Sequence, residues 1–312
     1  HKLAEAYFLK GQYYLMVGNP QSALREFDDC LKFNPNYWQA YDIEAKLIYG
    51  VNCKDADLIK SIVSFEKAIS LNHGVDRANI FRSMGDVFGA GAGFTDIAIA
   101  YYKNAFSIDN DSLKYFSSLA GAYSLTDSVQ AEKYSRKWLN LNPGDMDALF
   151  ALSDLLVMKG DLAEALSYCS RYAVWVKNND KLAAGSMHRI GYAYWITGNK
   201  QEAEFWFRRQ KNFDLKTIEN NRYAGSVAPT SYYDLACVYA FEGKKDSAYL
   251  YLRKLDEMKV FPFWWNHFIK TDPLLENLRG DSEFQNLVNR LESKYKYEHE
   301  RVKKWMEENG RI

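Results

Sequence analysis

The stretch Gly89-Ala90-Gly91-Ala92-Gly93 is the first place to look for chemistry, because alternating glycines let backbone N–H groups close on a phosphate ahead of a helix N-terminus. A phosphate loop follows a strand and runs into Lys-Ser or Lys-Thr. This one follows the helical stretch Ile80 to Phe88, and no such pair succeeds it, so it reads as a lengthened turn between helices. The histidines His1, His73, His188, His267 and His299 lack a second His or a Cys at metal-ligand spacing. Cys30, Cys53, Cys169 and Cys237 show no CxxC, and three of them fall at helical core or groove positions. No zinc site, redox pair or nucleophile elbow is legible, so no catalytic, cofactor-binding or metal-binding residue is assigned, and a role other than catalysis is expected.

The elements that would position any site are helical. Hydrophobic residues make up 47% of the 312 residues, enough for a packed interior, while only 6 are Pro, and Ala, Leu, Lys, Glu and Tyr recur throughout. Lys plus Arg and Asp plus Glu both number 40, so no net field draws the chain to nucleic acid or to an anionic membrane. No apolar run reaches membrane-spanning length, and direct nucleic-acid binding and membrane insertion by this segment are not expected. The lack of disulfide spacing favours the cytoplasm, and the periplasm stays open if an anchor precedes His1.

A repeat supplies the organisation. A small residue, an aromatic three positions on, a Gly-centred turn, then Ala and a second aromatic recur about every 34 residues. Tyr7, Gly11, Tyr14, Ala23, Phe27 and Pro35 mark the first unit, with Asn19 as a helix cap and Pro20 at the first helical position. Later units keep the frame with Leu149, Leu152, Ser153, Gly160, Ala165 and Tyr172, and again with Met187, Gly191, Tyr194, Gly198, Ala203 and Phe207. Asp161 with Glu164 and Asn199 with Glu202 have capping-box spacing. Gly11, Ala45, Gly85, Ala120, Ser153, Gly191 and Ala236 share one phase, where paired helices must approach closely. Extra residues around Val51 to Asp57 expand one turn, and Ile218 to Ala228 reads as a long linker.

On these residues the chain resembles the tetratricopeptide repeat family. The resemblance implies an all-α solenoid of helix-turn-helix units near 4–37, 38–75, 78–111, 113–145, 146–179, 184–217 and 229–262, an array over 1–262, and capping helices over 263–312. Carried over position by position, it turns Glu5, Phe8, Gln12, Gln39, Asp42, Lys46, Arg82 and Asp86 to the concave face in the early units. In the later units that face holds Phe150, Asp154, Met158, His188, Tyr192, Trp195, Tyr233 and Phe241. Aromatics with polar edges suit recognition, so these eight are the candidate binding residues, unless the chain's own carboxy-terminal segment fills the groove. Members that clamp chaperone tails need Lys and Asn where this chain has Phe8 and Gln12, which argues against that role.

Past the last unit, Phe261, Phe263, Trp264, Trp265 and Phe268 are placed to cover the open end of the core. Phe284, Leu287, Val288, Leu291, Tyr295, Val302 and Trp305 then form a stripe at helical spacing. The run Asp272-Pro273-Leu274-Leu275-Glu276-Asn277-Leu278-Arg279 resembles the close of tetratricopeptide arrays in bacterial signalling proteins, and Glu300 to Asn309 is similar to the ends of bacterial helix-turn-helix regulators. The resemblance implies a sensory or partner-binding region that takes a protein or peptide. A freestanding scaffold acting through complex assembly or self-association as a homo-oligomer is the alternative.

Overall fold

The computed structural model describes residues 2–49, 56–179, 187–224 and 228–312. His1, Cys53 and most of the expected Val51–Asp57 insertion lie outside the described residues. Among the described residues there are helices and no strands. The helices succeed one another as seven pairs: α1 (Lys2–Met16) with α2 (Pro20–Phe33), α3 (Trp38–Tyr49) with α4 (Leu58–Leu71), α5 (Arg77–Asp86) with α6 (Thr95–Asp109), and α7 (Ser112–Tyr123) with α8 (Ser128–Leu141). Then come α9 (Met146–Lys159) with α10 (Leu162–Asn179), α11 (Met187–Ile196) with α12 (Lys200–Ala224), and α13 (Pro229–Phe241) with α14 (Lys245–Asp256). Contacts between consecutive units also run α7 to α9, α9 to α11 and α11 to α13, so these four helices form one continuous inner layer.

Local chemistry sets the boundaries. Asn19 accepts a hydrogen bond from Ser22 N–H at 3.0 Å with Pro20 behind it, satisfying one free N–H at the start of α2. Asn199 likewise accepts from Glu202 N–H at 3.2 Å, but the Glu202 carboxylate turns away to accept from Trp206 Nε1 at 2.9 Å, so the box is only half closed. Asp161 and Glu164 are drawn into ion pairs with Lys159 and Arg136. The small residues at the shared phase are buried where the pairs touch: a Cβ on Gly191 would stand 2.8 Å from the Phe207 ring and 3.2 Å from the Ala203 carbonyl oxygen.

Two expectations change. Residues Val87–Gly91 are a π-helical turn continuing α5 rather than a loose turn, with Ala92 N–H donating to the Val87 carbonyl at 2.9 Å. Gly91 fits there because a side chain would meet the Tyr49 ring. Helix α12 runs on through Ile218 to Ala224, since Lys216 to Arg222 contains neither Gly nor Pro to stop it.

The carboxy-terminal segment does more than cap. Helix α15 (Phe263–Thr271), a 3₁₀ turn (Pro273–Leu278) and α16 (Ser282–Glu308) follow the last pair. Phe261 and Trp265 are fully buried in its core, where Phe284, Leu287 and Leu291 also pack. The far end of α16, roughly 40 Å on at 1.5 Å per residue, inserts Val302 and Met306 among Ile62, Phe65, Ile80 and Met84 of the second and third pairs. Arg301 donates to Asp57 at 2.8 Å, Arg311 pairs with Glu66 at 2.7 Å, and His299 stacks on Phe94 at 4.3 Å. The array is thereby tied back on itself.

Gly93 lies at this junction with φ +84°, and a Cβ there would strike the Tyr295 hydroxyl. Gly93→Ala therefore combines left-handed strain of about 1–3 kcal/mol with a clash against α16. We expect amide exchange to quicken across residues 295–308 while α13 keeps its protection; unchanged exchange in α16 would contradict this packing.

Candidate functional site

The eight candidate residues separate into three groups. Tyr192, Trp195 and Phe241 form a half-buried aromatic triad on α11 and α13, with Phe241 meeting Tyr192 at 5.7 Å and Trp195 at 5.6 Å, both edge-on. His188 and Tyr233 are buried and face the chain's own Asp272. Phe150, Asp154 and Met158 line a cavity.

Around Asp272 lies a polar cluster that sequence reasoning missed. Asp272 precedes Pro273 and caps the 3₁₀ turn, its Oδ1 accepting from Leu274 N–H at 3.0 Å. Its Oδ2 accepts from Arg189 Nη2 at 2.7 Å, Arg189 Nε at 3.0 Å and the Tyr233 hydroxyl at 2.9 Å. The remaining guanidinium nitrogen donates to both Asp154 oxygens at 2.9 and 2.8 Å, and the guanidinium lies 4.7 Å from the Phe268 ring centroid. Arg279 donates to the Asp272 carbonyl at 2.9 Å and Asn277 to the Ala240 carbonyl at 3.1 Å, while Leu274, Leu275 and Leu278 are buried beneath. The carboxy-terminal segment is thus anchored in the groove of the later units. A signal for this existed: Arg189 is the one cation of Met187–Ile196 and Asp234 the one acid of Pro229–Phe241, both otherwise apolar or uncharged apart from His188.

Beside the anchor, Gln210 accepts from His188 N–H at 3.1 Å and donates to Asp214 at 2.9 Å and Asp234 at 3.2 Å. Burial and the neighbouring Arg189 charge push His188 down to about 4, keeping it neutral. Burial would raise Asp272, but Arg189 outweighs it and holds this carboxylate below its ordinary range. Burial lifts Asp214 to about 7, and burial together with Asp214 lifts Asp234 well above a normal carboxylate. His188, Cys237 and Asp272 offer ligand atoms within 4.8 Å of one another, a group no sequence spacing revealed. These residues do not suit a divalent ion: Asp272 Oδ2 already accepts three donors, two from a cation 2.7–3.0 Å away, and a metal would face that charge. His188, Cys237 and Asp272 are also sealed from solvent, so no substrate reaches them.

The accessible site lies between the array and α15. One cavity of about 590 Å³ is lined by Tyr49, Asp86, Ala90, Tyr102, Ser117, Gly121, Trp264 and Phe268 among others. A second of about 250 Å³ is lined by Trp138, Phe150, Asp154, Met158, His267 and Phe268, and shares Ser117, Gly121 and Ser124 with the first. The shared floor is the small face of α7, where positions 117, 121 and 124 stand one above another at helical spacing. The volumes suit a small ligand or a few side chains of a partner.

Two outcomes follow from the buried charges. Asp272→Asn weakens the charge-assisted hydrogen bonds from Arg189 and Tyr233 while Arg189 keeps Asp154, and we expect a loss of about 3 kcal/mol in urea unfolding and earlier proteolytic cutting between α14 and α16; equal resistance would refute the anchor. Asp214 is held above its unfolded value of 3.8, so the stability tied to its neutral form is complete below that pH and drains away as pH rises through about 7. Asp214→Asn should therefore match the parent in thermal unfolding near pH 4 and exceed it by several degrees at pH 8, whereas a constant difference would contradict the raised carboxyl.

The family model of the tetratricopeptide repeat matches residues 4–37, 184–215 and 229–259. No curated protein matches the chain. Among solved structures, the type IV pilus biogenesis factor PilW aligns at 17% identity and a TM-score of 0.54, over 72% of this chain and 98% of that one. The pilF product of Pseudomonas aeruginosa aligns at 16% identity and a TM-score of 0.50, over 72% and 97%. At such identities the likeness is one of fold.

Proposed function

We propose that this tetratricopeptide-repeat chain is the sensory or partner-binding region of a bacterial signalling protein or transcriptional regulator, and that it takes a protein or peptide segment between α7, α9 and α15. The observation that carries the reading is the two-sided cavity wall: Phe150, Asp154 and Met158 come from the array, while His267 and Phe268 come from the carboxy-terminal segment. A ligand seated there touches both. Its binding changes how α15 docks, and the chain continues from α15 through α16 to the second and third pairs, which gives occupancy a route to the rest of the molecule. The closing Asp272–Arg279 stretch, similar to array ends in signalling proteins, supports the regulatory setting.

Panning a displayed random hexapeptide library against the protein tests this. Selected peptides should lose at least tenfold in affinity when Phe150 and Met158 are both changed to Ala, as expected for central apolar anchors. Binding that ignores these substitutions rejects the groove.

A freestanding scaffold is the second reading, favoured by Leu9, Tyr13 and Met16, which stand exposed at helical spacing on α1. Sedimentation would then show concentration-dependent self-association that Met16→Glu abolishes.

A further inference from the structure

Asp86 is exposed on the wall of the larger cavity, at the end of α5 where the π-helical turn begins. The Tyr102 hydroxyl donates to its Oδ1 at 2.7 Å, and the Tyr49 hydroxyl donates to its backbone carbonyl at 3.3 Å. Among the described residues no Lys or Arg forms an ion pair with it, whereas Asp154, on the wall of the adjoining cavity, is ion-paired with Arg189.

The rest of the lining has matching chemistry. Ser117 and Ser124 donate their hydroxyl protons back to Lys114 and Gly121 carbonyls, leaving oxygen lone pairs to accept from a guest. Trp264 and Phe268 line the same cavity, aromatic surface that suits the apolar stem of a basic side chain. The adjoining cavity is bounded by Phe150 and Met158, and its one acid, Asp154, is already engaged by Arg189, so its open wall suits an apolar group.

We propose that the larger cavity receives a basic side chain, lysine or arginine, from an extended segment of a partner protein, with Asp86 as its counter-charge and an apolar neighbour of that residue seated against Phe150 and Met158. The proposal rests on the groove-binding reading above and specifies its ligand.

Fluorescein-labelled hexapeptide pools, each with one fixed Lys, Arg, Gln or Glu, are titrated by anisotropy against the parent and Asp86→Asn, which retains an acceptor for Tyr102. The Lys and Arg pools should bind at least tenfold tighter than the Gln pool, the Glu pool weakest, and Asp86→Asn should erase the advantage. Equal affinity of Lys, Arg and Gln pools overturns the charge assignment while leaving groove binding intact. If no pool binds, both fall. Spermidine and agmatine are tested alone: Asp86-dependent binding of these amines without binding of the pools overturns a protein partner as the source. The comparison of pools on the parent needs no variant, so poor folding of Asp86→Asn would not shield the proposal.

Discussion

Arg189 holds two parts of the chain together that are 83 residues apart, and the carboxy-terminal architecture depends on it. A guanidinium is costly to bury unless each face of its fork finds an acceptor. Here Asp154 from the array takes one side and Asp272 from the segment beyond the array takes the other, with Phe268 lying against the guanidinium. The geometry is satisfied only when the segment is docked. Because Asp272 also caps the 3₁₀ turn and receives Tyr233, the same carboxylate sets the direction in which the chain leaves α15 and enters α16.

From that direction the remaining features follow. Helix α15 is laid along the inner layer, so Trp264, His267 and Phe268 become a wall facing α7 and α9 instead of a plug over the open end. Helix α16 then runs back to the second and third pairs and closes on them through Val302, Met306 and Arg301. A solenoid usually presents one broad concave face. In this chain the later part of that face is occupied by the chain's own segment, and the space left is a bounded cavity whose walls belong to two different parts of the sequence.

How much of this was legible varies with the range of the interaction. The helix pairs are written locally: Asn19 and Pro20 start α2, Gly160 and Gly198 end their helices, and Gly191 admits the Phe207 ring. The resemblance to the repeat family implies which positions face the concave side, Phe150, Asp154 and Met158 among them. What phase does not reveal is occupancy. Tyr233 and His188 are buried against Asp272, whose position depends on a contact across 83 residues from Arg189. The glycine run shows the same limit, since a π-helical turn and a loose turn share a composition, and only packing against Tyr49 and α16 selects the former. The stripe from Phe284 to Trp305 marks a helix packed on one side, but not that its far end reaches the second and third pairs.

The central claim is that ligands enter between α7 and α15, and amide hydrogen exchange on the lysine-fixed hexapeptide pool complex tests it most directly. The account predicts added protection in residues 117–125 and 263–270, with the even-numbered outer helices α2, α8 and α14 unaffected. Protection confined to those outer helices, or to the exposed face of α1, would contradict it.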